Sequence, residues 1–89
     1  MDEVSFRRER AGEGYEDFNL IDWPAGKVNE MHSHDFRAHA LILDGELTVT
    51  TADGETTTCR AGDTFALDGG IRHEETVGPA GVKLVSARK

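Results

Sequence analysis

Turn signals recur every few residues from Pro24 onward, and they leave no room for a long helix in the body of the chain. They are Pro24-Ala25-Gly26, Asp44-Gly45, Asp53-Gly54, Ala61-Gly62-Asp63, Asp68-Gly69-Gly70 and Gly78-Pro79-Ala80-Gly81. Glycine and aspartate tolerate the backbone conformations that tight turns require, so each cluster marks a place where an extended run ends. Between the clusters lie short runs rich in β-branched and apolar residues, at 18–23, 40–43, 47–51, 56–60, 64–67 and 82–86. Strands at this spacing with no sustained 3.6-residue apolar period predict an all-β sandwich or barrel. Asp53-Gly54 is the strongest hairpin signal; a type I′ turn there would join 47–51 to 56–60.

With 89 residues the chain has material for one core and one site. The first residues are charged and dotted with glycine (Arg7, Arg8, Glu9, Arg10, Gly12, Glu13, Gly14), so 1–14 is expected as a flexible arm or a pairing edge strand and 15–89 as the barrel domain. Ten Lys and Arg against seventeen Asp and Glu give a net charge of −7, which disfavours phosphate backbones and anionic lipid. Residues 1–8 hold no apolar targeting segment, and the longest apolar stretch, 40–43, is far too short to cross a bilayer. The expected setting is cytoplasmic, with no nucleic-acid or membrane partner. The single cysteine, Cys59, has no disulfide or CxxC partner and reads as a half-buried strand residue.

Three of the four histidines fall in the window Met31-His32-Ser33-His34-Asp35-Phe36-Arg37-Ala38-His39. On an extended strand His32 and His34 share a face, because side chains alternate with period two. A third imidazole can come from His73, which follows the Asp68-Gly69-Gly70 turn. Three neutral imidazoles are a good donor set for Fe, Mn, Ni or Zn as a divalent ion, and they leave coordination positions open for water or substrate.

The spacing around these histidines resembles the two motifs of the cupin family. Gly26 is followed by five residues and then His32-Ser33-His34, with Gly45 closing the segment; Gly62 is followed by five residues, Asp68-Gly69-Gly70, two residues and His73. The resemblance covers about residues 26–77. It implies a double-sheet jelly-roll barrel with a metal ion in its interior, and a homodimer formed through an edge strand.

The match is incomplete where the family places a metal-binding glutamate. Counting back from Gly45 puts Ala38 there, and counting forward from His34 puts His39 there. On a regular strand His39 has the wrong parity and faces outward, leaving Ala38 as a gap in the donor set; a bulge would turn His39 inward as an additional ligand. The gap would leave an ion with its full charge and favour an anionic or chelating ligand. Asp68 and Val77 likewise stand where the second motif has Pro and Asn.

Glu30 is another candidate ligand if the strand reaches back that far. Glu74 or Glu75 could orient an imidazole. Arg37 and Arg72 could hold a substrate carboxylate. Phe36, Ile42, Phe65 and Leu67 are expected to pack the barrel, with Phe36 also a candidate for the substrate pocket. No residue is assigned a catalytic role.

The resemblance implies a small metalloenzyme acting on a small organic molecule, with dioxygenase, isomerase and lyase chemistry all compatible. The alternatives are a non-catalytic barrel that binds or senses a small ligand, and a barrel that has lost its metal.

Overall fold

Two long strands, β3 (Ala38–Thr51) and β6 (His73–Arg88), run antiparallel along most of their length and each belongs to two sheets. A computed structural model describes residues 1–89. The other strands are β1 (Glu16–Trp23), β2 (Val28–His32), β4 (Thr56–Arg60) and β5 (Thr64–Leu67). β1 pairs with the second half of β6 and β5 with the first half of β3, which makes one sheet. β2 pairs with the first half of β6 and β4 with the second half of β3, which makes the other. This all-β double sheet is the expected jelly-roll arrangement. No helix is long and apolar enough to cross a membrane.

The bend between the sheets lies at two of the clusters that read as turns. Asp44-Gly45 and the segment 78–81 do not end strands; they are irregularities within β3 and β6, where the pairing register shifts and the strands pass from one sheet to the other. Gly45 has φ +79°, and a Cβ on it would lie 2.0 Å from the carbonyl oxygen of Gly81. Two backbones meet there with no space for a side chain.

The Asp53-Gly54 hairpin joins β3 to β4 as expected, with a different loop. Thr51 N–H bonds to Glu55 C=O, and Gly54 alone takes a positive φ while Asp53 does not. The loop therefore has three central residues and ends on a left-handed glycine, in place of a type I′ turn.

The core lies between the sheets. Ala40, Ile42, Leu47, Val49, Cys59, Val77, Val82 and Leu84 form one buried cluster, with Ile21, Trp23, Phe65 and Leu67 packed on it. Cys59 is thus a core residue, fully buried and without a partner thiol.

Residues 3–12 form a helix, α1 (Glu3–Gly12), and not an arm or edge strand. The side chain of Asp2 caps it by accepting from Ser5 N–H at 2.8 Å. Its one buried residue, Phe6, is 0% exposed and packs with Leu41 and Val85 on the outer face of the β1–β6–β3–β5 sheet. Burial of that ring contributes roughly 1.5–3 kcal/mol. A single anchor gives no 3.6-residue pattern to read, so the helix was invisible to periodicity.

His39 belongs to this outer layer. Its ring meets Phe6 edge-on at 5.4 Å and Tyr15 at 5.8 Å, and its Nδ1 accepts from Arg10 at 3.5 Å. Burial, then Arg10 and Arg37, hold its pKa below the ordinary 6.5, with Glu13 opposing weakly. The unfolded chain therefore takes up a proton near pH 6.5 that the folded chain refuses, and stability must fall as the pH drops through 6.5 toward the lower folded value. Melting temperatures of the metal-free protein are expected to fall between pH 7.5 and 5, and His39→Gln to flatten part of that slope. His34 adds a slope of the same sign. A slope identical in the variant would show that His39 is not the group that titrates.

Candidate metal centre

Antiparallel pairing sets His32 of β2 directly opposite His73 of β6. The register that begins with Val28 against Thr76 and Asn29 against Glu75 would, if continued, put His32 opposite Arg72. A bulge between Asn29 and His32 adds one residue to β2 and corrects this. Asn29 and His32, of opposite parity on a regular strand, then both project toward the interior.

His34 lies just past the end of β2, so the expectation of one strand face carrying both histidines does not hold. It reaches the same place from a loop that Gly70 fastens by donating its N–H to His34 C=O at 2.7 Å. The turn between β5 and β6 thus positions a side chain on the segment after β2.

The three rings converge. Centroid separations are 4.4 Å for His32 and His73, 4.9 Å for His32 and His34, and 5.3 Å for His34 and His73. One ring nitrogen from each falls within 4.8 Å of the others. His73 is almost fully buried, while His32 and His34 are half-buried.

Tautomers follow from the backbone. Nδ1 of His32 lies 2.5 Å from Glu30 C=O, and Nδ1 of His73 lies 3.0 Å from Ile71 C=O. A carbonyl can only accept, so each Nδ1 carries a proton, and in the neutral ring it is Nε2 that presents a lone pair. Burial, and after it the neighbouring His32 and His73, push the His34 pKa below 6.5, which keeps that ring neutral too. Three imidazoles that converge on one point, two of them with orientations fixed by hydrogen bonds, suit a divalent transition metal, so these residues fit such an ion.

The histidines form part of the wall of a cavity of about 570 Å³. Ile21, Trp23, Phe65, Leu67 and Leu84 line another part, so the cavity floor is the upper layer of the core. Ala38 and Ala40 also line it, which puts His39, between them on β3, on the opposite face. His39 is therefore not a ligand. Phe36 does line the cavity and stacks on His34 with centroids 4.8 Å apart. Glu30 sits at the exposed rim, its carbonyl serving His32.

Neither arginine reaches the cavity. Arg37 donates to Tyr15 Oη at 2.7 Å and pairs with Asp68, while Arg72 is exposed to solvent. Their proximity in sequence to the histidines had suggested a substrate contact, which the partners of Arg37 and the exposure of Arg72 deny. Glu74 also points elsewhere, paired across the sheet with Thr50. Glu75, on the His73 face of β6, is the acidic residue that enters the cavity; Asn29 Nδ2 donates to its Oε1 at 3.2 Å. Strand parity from His73 singles out Glu75, whereas no local signal marked Asn29.

Residues 19–85 match the family model described as the cupin domain. The chain belongs to the cupin family. Several solved structures share its fold. The protein NMB1881 from Neisseria meningitidis superposes with a TM-score of 0.71 at 22% identity, covering 83% of this chain and 78% of the other. An RmlC-like cupin from Shewanella frigidimarina also gives 0.71, at 24% identity and 80% coverage, with this cupin spanning 62% of its length. KdgF from Halomonas sp. gives 0.68 at 18% identity, covering 80% of this chain and 67% of its own. No curated protein sequence matched this cupin.

Proposed function

We propose that this cupin binds one divalent transition-metal ion at His32, His34 and His73 and acts there on a small organic molecule. The observation that carries this is the convergence of three ring nitrogens within 4.8 Å in the wall of a cavity whose other walls are largely apolar. A bound ion would supply Lewis acidity, and if it were iron also electron transfer, at the positions the imidazoles leave open.

The chain's own residues define the molecule. A volume of about 570 Å³ suits a compact ligand, and the wall of Trp23, Phe65, Leu67 and Leu84 favours an apolar or aromatic body. With no Lys or Arg among the lining residues, a ligand carboxylate has no side-chain cation to meet it, and a bound metal would be its counter-charge. An apolar molecule with one chelating end fits best.

Elemental analysis of untagged protein, followed by a panel of chelating aromatic and aliphatic acids, enols and diols, tests this. About one mole of iron, manganese, nickel or zinc per chain with turnover of a panel member is expected. Stoichiometric metal with binding but no turnover would make the protein a ligand-binding barrel. A protein that neither contains nor takes up divalent ions would leave the histidines as lining of an organic-ligand pocket.

A further inference from the structure

We propose that Glu75 is the carboxylate donor of this metal centre, supplied by β6 in place of the residue that Ala38 does not provide. The proposal rests on the three-histidine reading above and extends the donor set by one.

Glu75 is 8% exposed, yet no Lys or Arg comes near its carboxylate. Its neighbours are Asn29, which donates one neutral hydrogen bond, and His32, whose Nε2 lies 4.0 Å from Oε1. Burial of a carboxylate is costly unless a counter-charge meets it, and one amide hydrogen bond does not supply a charge. In the neutral ring, with the proton on Nδ1, the His32 Nε2 is itself an acceptor. Two acceptors facing each other at this distance make no hydrogen bond.

A cation between them resolves the conflict. Two metal–ligand bonds of about 2.1 Å each span at most about 4.2 Å, so an ion held by His32 Nε2 would come within reach of Glu75 Oε1, 4.0 Å away, once the carboxylate turns toward His34 and His73. It does not cluster with those two rings in this structure. Asn29 then has a defined task. Held opposite Glu75 by the β2–β6 register, it fixes the carboxylate's direction. Ala38, lining the same cavity with a methyl group, leaves the space open.

The consequence for the ligand is electrostatic. The gap at Ala38 had implied an ion of undiminished charge and a preference for anions; with Glu75 bound, one unit is neutralised. The preferred ligand class becomes neutral or singly charged chelators.

Calorimetric titration of the metal-free full-length protein with Mn(II) and with Ni(II), in wild type and Glu75→Gln, tests the assignment. Carboxylate donors matter more to Mn(II), whereas imidazole suits Ni(II). Mn(II) affinity is expected to fall by more than about 100-fold in the variant, beyond the loss that a residue merely orienting a ligand would cause, and Ni(II) affinity by clearly less. Unchanged Mn(II) affinity would overturn the role of Glu75 and leave the three-histidine site standing; so would equal losses for both ions, which would mark Glu75 as a structural residue. Failure of the wild type to bind either ion would overturn both proposals. If Glu75→Gln does not fold, infrared difference spectra of the wild type with and without Mn(II) decide: a shifted carboxylate stretch is expected, and its absence overturns the assignment.

Discussion

Replacing His73 by alanine is expected to abolish stoichiometric metal while leaving a folded barrel. His73 is the most buried of the three imidazoles, 2% exposed, and is held between β2 and β3 with its Nδ1–H given to Ile71 C=O. Loss of a residue that merely orients a ligand costs 10- to 100-fold in metal affinity, so removal of the ligand itself should cost more than about 100-fold. The variant should also lose the thermal shift that metal confers. An ion at 100 times its dissociation constant stabilises the wild type by about 2.7 kcal/mol, and His73→Ala should show almost none of this. Folding should survive, because truncating one polar ring costs on the order of 1–3 kcal/mol and the main hydrophobic cluster lies elsewhere. Far-ultraviolet circular dichroism, melts with and without added ion, and elemental analysis give the three readings. A His73→Ala protein that keeps its metal would show that the ion is held elsewhere.

The second large effect is expected at Gly45, far from the histidines. Alanine there must adopt φ +79° and place a methyl 2.0 Å from the Gly81 oxygen and 2.9 Å from its carbonyl carbon. The left-handed backbone alone costs about 1–2 kcal/mol. The clash adds more, since the opposing atoms are backbone and cannot turn aside. A domain of this length has a total stability of roughly 4–13 kcal/mol, so Gly45→Ala should be mostly unfolded or melt at a much lower temperature. Gly54→Ala is the control: its φ is +91°, but nothing lies within 4 Å of the added methyl, so only the backbone cost applies. If the two variants melt alike, the close approach of β3 and β6 is not a real constraint.

Much of this architecture was legible, and the misses have identifiable causes. Residues 56–60 and 64–67 were bounded on both sides by glycine turns and emerge as β4 and β5 with the expected limits. Asp44-Gly45 was misread because a bulge and a turn demand the same positive φ; what separates them is the distant partner strand, which local sequence does not name. The α1 helix was missed because its stability comes from one ring, Phe6, and from a cap at Asp2. At the site, the His32, His34 and His73 spacing was readable and the three rings do meet. The route was not readable, because the β2 bulge and the loop holding His34 depend on pairing with β6 and on Gly70. Arg37 and Arg72 looked useful from proximity along the chain, but both lie just outside β3 and β6 and neither lines the cavity.

The passage of β6 through both sheets divides labour along a single strand. Its first residues, His73 and Glu75, face the cavity as polar groups, and after the bend Leu84 and Ser86 face it as wall. Trp23, Phe65 and Leu67 complete that wall from β1 and β5, strands that supply none of the three histidines. Changes in the shape of the pocket can therefore accumulate on one sheet while the polar cluster on the other stays as it is. A lineage built on this plan can exchange one small molecule for another by a few substitutions in β1, β5 and the end of β6, without having to rebuild the centre that would act on them.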